Sequence, residues 1–246
     1  LLIIQKEFDG FDETRERLDL LALDKDGNLS ALDLKISGQS ILAALIPQAL
    51  IGGMDVATFQ GLLPSGLDPR VEDQTLKYTF PNVHVHHAMR NPPVRPGFWR
   101  GVNLNQNTIY LDCFLDEMAH AAGRDPLEFR LSMMGDHPKM AAVLQAAADG
   151  GGYGRKDGKS RGLAAIYGFG SYVAACAEVS VSEDGVLKMH KITAATDCGH
   201  AANPQQIEAQ VEGSFVYGLS AMLYGEITLE NGTPQQTNFD SFNSMR

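Results

Sequence analysis

The spacing of the apolar residues changes once beyond the middle of the chain, and that change most constrains the fold. From Leu104 to Ala122, the residues Leu111, Leu115, Met118, Ala119 and Ala122 recur at helical intervals and form one stripe. Gly123 follows as a helix-ending residue. Asp125, Pro126 and Glu128 then start a second helix, with a D-x-x-E capping box and proline at the first helical position. A third, alanine-rich helix runs from Lys139 to Asp149 and stops at the GGGYG run. Beyond it the spacing is that of strands: RGLAAIYGFG, YVAACAEVSVS and VLKMHKITAAT, the last two joined at Glu183-Asp184-Gly185. Ala175, Ala177, Val179 and Val181 alternate with Cys176, Glu178, Ser180 and Ser182, which predicts a half-buried antiparallel strand. Helices and strands in separate blocks predict an α+β fold.

The first half reads less regularly. RLDLLALD and LSALDLKIS form a hairpin between Arg15 and Ser37, with Asp26-Gly27 supplying the turn. Asp24, Asp26 and Asn28 are spaced like calcium ligands, but Gly27 is misplaced and no glutamate closes the loop. Ser40 to about Phe59 predicts a helical segment broken at Pro47, followed by a Gly/Pro-rich loop through Asp68. Tyr78 to Met89 is extended. Alternation puts His84 and His86 on one face of it and His87 on the other, and with no carboxylate or cysteine at ligand spacing nearby no metal ligand is assigned.

PPVRPGFWRG, from Pro92 to Gly101, is the segment that a plain surface turn does not explain. Its prolines stiffen an extended approach, which delivers the only tryptophan, Trp99, beside Arg100 and Gly101. Two readings stand here: a ligand-facing loop, or a core anchor at Trp99 next to a surface charge. Asp116 and Glu117 are adjacent on a helix and point to different sides, so they read as solvated faces rather than an acid/base pair. Toward the C-terminus, Asn203-Pro204 starts a helix, with Ile207, Val211, Leu219 and Leu223 marking a buried face. Gly213 and Gly218 each cost that helix about 1 kcal/mol relative to alanine, which implies a close neighbour to the backbone. A last hairpin turns at Asn231-Gly232. The expected organisation is 1–90 (strand hairpin and helix), 91–150 (loop and helices) and 151–246 (sheet plus buried helix).

Composition excludes more than it proposes. A formal net charge of -10 over 246 residues argues against a nucleic-acid partner. Cys113, Cys176 and Cys198 are odd in number and widely spaced, fitting neither a disulfide framework nor a zinc or iron–sulfur site made by this chain alone. The apolar run from Ile41 to Gly53 is too short to span a bilayer and contains Pro47. No G-x-S-x-G elbow supports a hydrolase. The opening LLIIQKEF lacks an initiator methionine and gives the expectation of a piece of a longer polypeptide.

Three segments taken in order are specific. FWRGVN (Phe98 to Asn103) leads into FLDEMAHAAGRDPLEFR (Phe114 to Arg130); GSYVAACAEVSVSEDG (Gly170 to Gly185) and DCGHAANPQQIEAQVEGSFVYGLSAMLYGEI (Asp197 to Ile227) follow. Together they resemble the molybdopterin-binding large subunit of the xanthine dehydrogenase/aldehyde oxidase family, in particular its isoquinoline 1-oxidoreductase beta-subunit type. The resemblance implies mixed and antiparallel sheets packed with helices. It implies hydroxylation of an aldehyde or N-heteroaromatic carbon with oxygen from water. The cofactor implied is molybdenum-molybdopterin, in its cytosine dinucleotide form, with electrons leaving through [2Fe–2S] centres on a small partner subunit and onward to a cytochrome c.

By the same resemblance, Arg100 and Gly101 match a loop beside the molybdenum, and Phe98 and Trp99 wall the substrate funnel. Gln210, Glu212 and Gly213 match a Q-x-E-G motif expected to be buried, hydrogen-bonded support. The family's general-base glutamate lies in a G-x-G-E segment that this chain does not contain. Glu226 in LYGEI lacks the first glycine and the downstream prolines and is not given that role. E-x-G-Q-G and G-G-x-F-G are absent as well, so the fragment alone is expected to be inactive. Export to the periplasm is a further implication of the branch. The alternative is a scaffold or interaction domain that keeps the fold without the chemistry.

Overall fold

The computed structural model describes residues 2–9, 15–63, 75–91 and 93–245, with side chains described from Leu23 onward. Pro92 and residues 64–68 of the predicted loop lie outside the described residues. The chain divides into two compact units, Leu1–Cys198 and Gly199–Arg246.

The first unit opens with a four-stranded mixed sheet in the order β1 (Leu2–Asp9), β2 (Arg15–Leu23), β3 (Leu29–Gly38), β4 (Val83–Met89). The first three strands are antiparallel, and β4 runs parallel to β3. The turn between β2 and β3 is the predicted one. Asp24 Oδ1 accepts from the N–H groups of Asp26 (2.8 Å) and Asn28 (2.9 Å), and Gly27 supplies φ +77. That carboxylate is committed to backbone, as expected of a turn rather than a calcium loop. On β3, Leu29, Leu32, Leu34 and Ile36 are buried, while Asp33 and Lys35 lie on the other face.

The β3–β4 connection departs from the predicted broken helix. It holds a one-turn helix, α1 (Ile41–Leu45), and two 3-10 turns, Pro47–Ala49 and Val56–Phe59. Pro47 has no N–H to offer the Ala43 carbonyl, so the helix stops at once. Buried Ser40 and Asp55 then organise the segment: Ser40 Oγ caps Ala43 N at 2.9 Å and donates to Asp55 at 2.6 Å.

Three helices follow as predicted: α2 (Leu104–Ala121), α3 (Pro126–Ser132) and α4 (Pro138–Gly151). Asp125 caps α3, accepting from Leu127 N at 2.8 Å and Glu128 N at 3.2 Å. Strands β5 (Ser160–Gly168), β6 (Ser171–Val181) and β7 (Leu187–Asp197) form an antiparallel sheet in that order, and α4 packs across all three. The fold class is therefore α+β, with one mixed and one antiparallel sheet packed with helices.

The helix decides which side of β6 is buried. Ala174 and Cys176 are both 1 % exposed, whereas the Ala175–Val181 side is not in the core. Gly151 of α4 sits so close that a Cβ there would lie 2.5 Å from Cys176 Sγ. Glu178, on the Cys176 side, is held by Lys159 at 2.5 Å and by Arg161, which also grips Asp157 through two nitrogens at 2.9 and 2.6 Å. One continuous core runs from Leu23 to Cys176. Each fully buried Leu or Phe in it contributes about 1.5–3 kcal/mol.

The second unit contains α5 (Pro204–Leu223) and a two-residue-per-strand hairpin, β8 (Leu229–Glu230) and β9 (Thr233–Pro234), turning at Asn231-Gly232 with φ +49 and +78. Asn203 Oδ1 caps α5 at Gln206 N, 3.3 Å. The expected burial of α5 is not seen within this chain: α5 has no buried residue, Ile207, Val211 and Leu219 are half-buried, and Leu223 is exposed. Among the described residues no helix is long and apolar enough to cross a membrane.

The hydrogen bond from Arg161 holds the Asp157 carboxyl well below the usual carboxylate range, and bonds from Lys159 and then Arg161 lower Glu178. Depressed carboxyls contribute stability that is present above the unfolded pKa and lost as pH falls through the folded one. Glu178→Gln is therefore expected to be less stable than wild type at pH 7. The gap should narrow as pH falls below about 4, which urea unfolding at pH 7 and pH 3 would measure.

Candidate functional site

The segment from Asn91 to Asn103 leaves β4, enters α2 and is anchored at both ends. Ser40 N–H donates to Asn91 Oδ1 at 2.9 Å, and Gln39 Nε2 to the Val94 carbonyl at 3.3 Å. At the far end Asn103 N–H donates to Gln60 Oε1 at 3.2 Å. Buried Asn107, one turn into α2, donates to the carbonyls of Thr58 (2.9 Å) and Gln60 (2.8 Å). A surface segment fixed this way loses little entropy on meeting a ligand.

Between the anchors the backbone makes a strained elbow. Gly101 has φ +81 and Val102 has φ +50. A β-branched residue in that region costs about 1–3 kcal/mol and persists only where its surroundings enforce it. The enforcing group is Asn105, whose Nδ2 donates to the carbonyls of Arg100 (2.6 Å) and Val102 (3.1 Å). Its amide lies over Gly101, where a Cβ would collide with it. Glycine is required there by its positive φ and by Asn105, before any ligand is considered.

Phe98 and Trp99 are 57 % and 45 % exposed, and Arg100 is exposed beside them. Trp99 is not part of the core formed by the described residues. The β5–β6 hairpin, whose exposed aromatic sequence reasoning missed, packs against the same helix start through Gly168. Phe169, at the tip of the β5–β6 hairpin, is 61 % exposed at φ +50, and its neighbour Gly168 lies against the Leu104 side chain. The signal was the tripeptide Gly168-Phe169-Gly170, a bulky residue held between glycines at a turn.

Behind the elbow, α2 is locked by buried charge. Arg130 has no exposed surface; its Nη2 donates to the Asp112 carbonyl at 2.7 Å, and its Nη1 to Asp116 and to the Pro126 carbonyl. The Asp112 carboxylate accepts from Tyr78 OH at 3.0 Å and Ala165 N–H at 2.8 Å. Burial pushes the Asp112 carboxyl up, opposed by Arg130, and raises the Tyr78 phenol well above its ordinary value with Asp112 adding to the effect. Asp116 is therefore not the solvated residue that adjacency predicted, but the partner of a buried guanidinium.

The other expected residues separate. Gln210, Glu212 and Gly213 lie on α5 in the second unit, and all three are exposed rather than buried. A Cβ at Gly213 or Gly218 would meet nothing within 4 Å, so the close neighbour expected there is not found among the described residues. The three histidines fall as alternation predicts, and β3 adds what local spacing lacked, the carboxylate of Asp33 beside His84 and His86. Chemically, the elbow offers one guanidinium and a glycine-flanked backbone between exposed aromatic faces.

Comparison with known proteins gives this class a family. The chain belongs to the molybdopterin cofactor-binding domain family, whose model matches residues 115–246. The family resemblance in the sequence is borne out, and the elbow lies just before the matched stretch. The chain is 26 % identical over 236 residues to the beta chain of isoquinoline 1-oxidoreductase from Brevundimonas diminuta, covering 94 % of this chain and 29 % of that one. It is 25 % identical over 263 residues to the membrane-bound aldehyde dehydrogenase [pyrroloquinoline-quinone] of Gluconacetobacter polyoxogenes, covering 98 % and 33 %. It is 26 % identical over 231 residues to a subunit of nicotinate dehydrogenase from Pseudomonas putida, covering 86 % and 19 %. The chain thus spans a third or less of these curated relatives.

Gly101→Ala is expected to cost about 1–3 kcal/mol through positive φ and the Asn105 clash, and to speed amide exchange at Val102 and Leu104, whose N–H groups bond to the elbow's carbonyls of Trp99 and Gly101. Hydrogen-exchange mass spectrometry of the variant would measure both local opening and its confinement to this loop.

Proposed function

We propose that these residues form part of the large subunit of a molybdenum hydroxylase that oxidises an aldehyde or an N-heteroaromatic carbon, with the elbow turned toward the cofactor. The observation that carries this reading is the elbow: a strained, doubly anchored backbone that displays Phe98, Trp99, Arg100 and Gly101 at the surface of a chain belonging to a molybdopterin-binding family. The curated relatives whose names specify heterocycle and aldehyde oxidation support the substrate class.

When bound, the molybdenum cofactor supplies two-electron oxidation with water as the oxygen source. This chain's residues bind and orient. Arg100 presents a fixed positive charge to an anionic oxygen of the cofactor or substrate, and Gly101, at positive φ beneath the Asn105 amide, makes the turn that carries Arg100. Phe98 and Trp99 stack on a planar substrate and exclude water from one side of it. Gln210, Glu212 and Gly213 belong to the proposed support, on a helix whose exposed face would be covered by the rest of the subunit. The general base lies outside these 246 residues, as do a [2Fe–2S] partner subunit, a cytochrome c acceptor and the groups that select the cytosine dinucleotide form of the cofactor. On this reading the 246-residue chain alone neither holds molybdenum nor turns over.

The test uses the full polypeptide that carries these residues, purified with its partner subunit and assayed for molybdenum, pterin and oxidation of aldehydes and N-heterocycles. Arg100→Ala is expected to lower kcat/KM by about a hundredfold, the size of losing one charge-stabilising donor, while Glu183→Gln in the exposed β6–β7 turn leaves it unchanged. Full molybdenum occupancy with equal rates for both variants would remove Arg100 from the site. No molybdenum in the intact complex would favour the scaffold reading.

A further inference from the structure

We propose that Asp33, His84 and His86 form a binding site for a divalent first-row transition-metal ion, with Zn2+ as the type ion, on the outer face of the β3–β4 pair. The site is independent of the molybdenum reading and shares no residue with it.

The parallel register creates the cluster. Asp33 pairs with His84 and Lys35 with His86, so alternate residues of both strands point outward together. Asp33 Oδ1 lies 3.3 Å from His84 Nδ1 and 3.5 Å from His86 Nε2, and the two ring nitrogens are 2.9 Å apart. Among the described residues this is the one cluster of three such donors close enough to share an ion.

These separations match the edges of a coordination sphere. With metal–ligand bonds of about 2.0–2.1 Å, two ligands lie about 3.3–3.4 Å apart at a tetrahedral angle and about 2.9 Å apart at a right angle. All three observed distances fall at or near those values. A proton does not satisfy the cluster in the same way. Whichever tautomer carries it, one hydrogen shared between the imidazoles lies between the two ring nitrogens and leaves Asp33 Oδ1 without a full hydrogen bond. Asp33 Oδ1 is shielded from solvent and has no hydrogen-bond partner. A buried, bare carboxylate oxygen aimed at two ring nitrogens is costly, and a cation equidistant from all three removes the cost.

The donor set selects the ion class. Two imidazoles and one carboxylate suit Zn2+, Cu2+ or Ni2+, whereas Mg2+ and Ca2+ need oxygen shells. The two histidine side chains are 67 % and 45 % exposed, which leaves further coordination positions to water and makes the ion exchangeable. Lys35 Nζ lies 4.0 Å from Asp33 Oδ2, on the carboxylate oxygen that does not face the imidazoles. A bound ion would add a side-chain clip to the parallel β3–β4 pair, whose strands are separated in the chain by the long segment 39–82.

The experiment strips the purified full polypeptide with EDTA, titrates Zn2+ against a chromophoric chelator, and counts retained zinc by mass spectrometry after dialysis. One Zn2+ per chain and a raised Tm are expected. Asp33→Asn, His84→Gln and His86→Gln should each weaken binding by about tenfold or more, while His120→Gln, an exposed histidine at the end of α2, should not. The two histidine side chains are exposed, so the metal-free Tm of His84→Gln and His86→Gln should match wild type, which separates ligand loss from misfolding. Zinc held equally by the His84→Gln/His86→Gln double variant would overturn the site. So would Mg2+ competing at the same concentration as Zn2+. Zinc is counted separately from molybdenum, so failure here is distinguishable from failure of the proposed activity.

Discussion

Everything that faces outward at the elbow depends on one charge that faces inward. The Arg130 guanidinium is taken wholly out of water, and it is tolerated because α2 and α3 surround it with oxygen. Removing a charge from water costs several kcal/mol after relaxation, and only close, well-directed partners offset it. Asp112 extends the connection beyond the pair. Its carbonyl takes one guanidinium nitrogen, and its carboxylate reaches the N–H of Ala165 on β5 and the hydroxyl of Tyr78. Four segments distant in sequence are thereby tied at one point. In a network of this kind the bonds support one another, so loss of one member weakens the hold on the rest.

That arrangement explains why the elbow can be strained without being loose. Asp112 and Asp116 fix the middle of α2, while Asn105 and Asn107 at its start grip the elbow and the Thr58–Gln60 backbone. The helix therefore acts as a rigid strut between the buried charge and the exposed loop. Val102 at positive φ could relax only if the start of α2 moved, and the start cannot move while the middle is pinned. The cost at Val102 is small against the burial that holds α2: Phe114, Leu115, Met118 and Ala119 are all at 0 % exposure.

What was legible in the sequence was local. The Asp26-Gly27 and Asn231-Gly232 turns, the Asp125 cap, the apolar stripe of α2 and the alternation of His84, His86 and His87 each depend on residues within a few positions, and each was found. What was missed depends on partners far along the chain. Asp116 looks solvated until Arg130 is brought to it. The side of β6 that is buried is chosen by α4, whose Gly151 lets Cys176 come close, and alternation alone gives no sign of that choice. The burial expected for α5 is not seen within this chain, for a related reason. Its stripe of Ile207, Val211 and Leu219 has the right period, but a period says only that a face is apolar, not that this stretch of chain covers it. The chain matches a third or less of the length of its curated relatives.

The parallel pairing of β4 with β3 links the two surface features by a single choice of register. Inward, Val83 and Val85 pack against the core, and His87 forms a T-shaped pair with the Phe59 ring, centroids 6.2 Å apart, where burial pushes its imidazole pKa down. Outward, the same register sets His84 beside Asp33. A slip of one residue would carry the valines to solvent and bring the exposed histidines into the core, a change that the apolar face forbids. The bond from Arg90 N–H to the Gly38 carbonyl at 2.8 Å carries the pairing one step past the strand. The loop then departs from Asn91, held by Ser40, toward Trp99. The hydrophobic side of β4 thus places its polar side, and the strand as a whole fixes where the elbow begins.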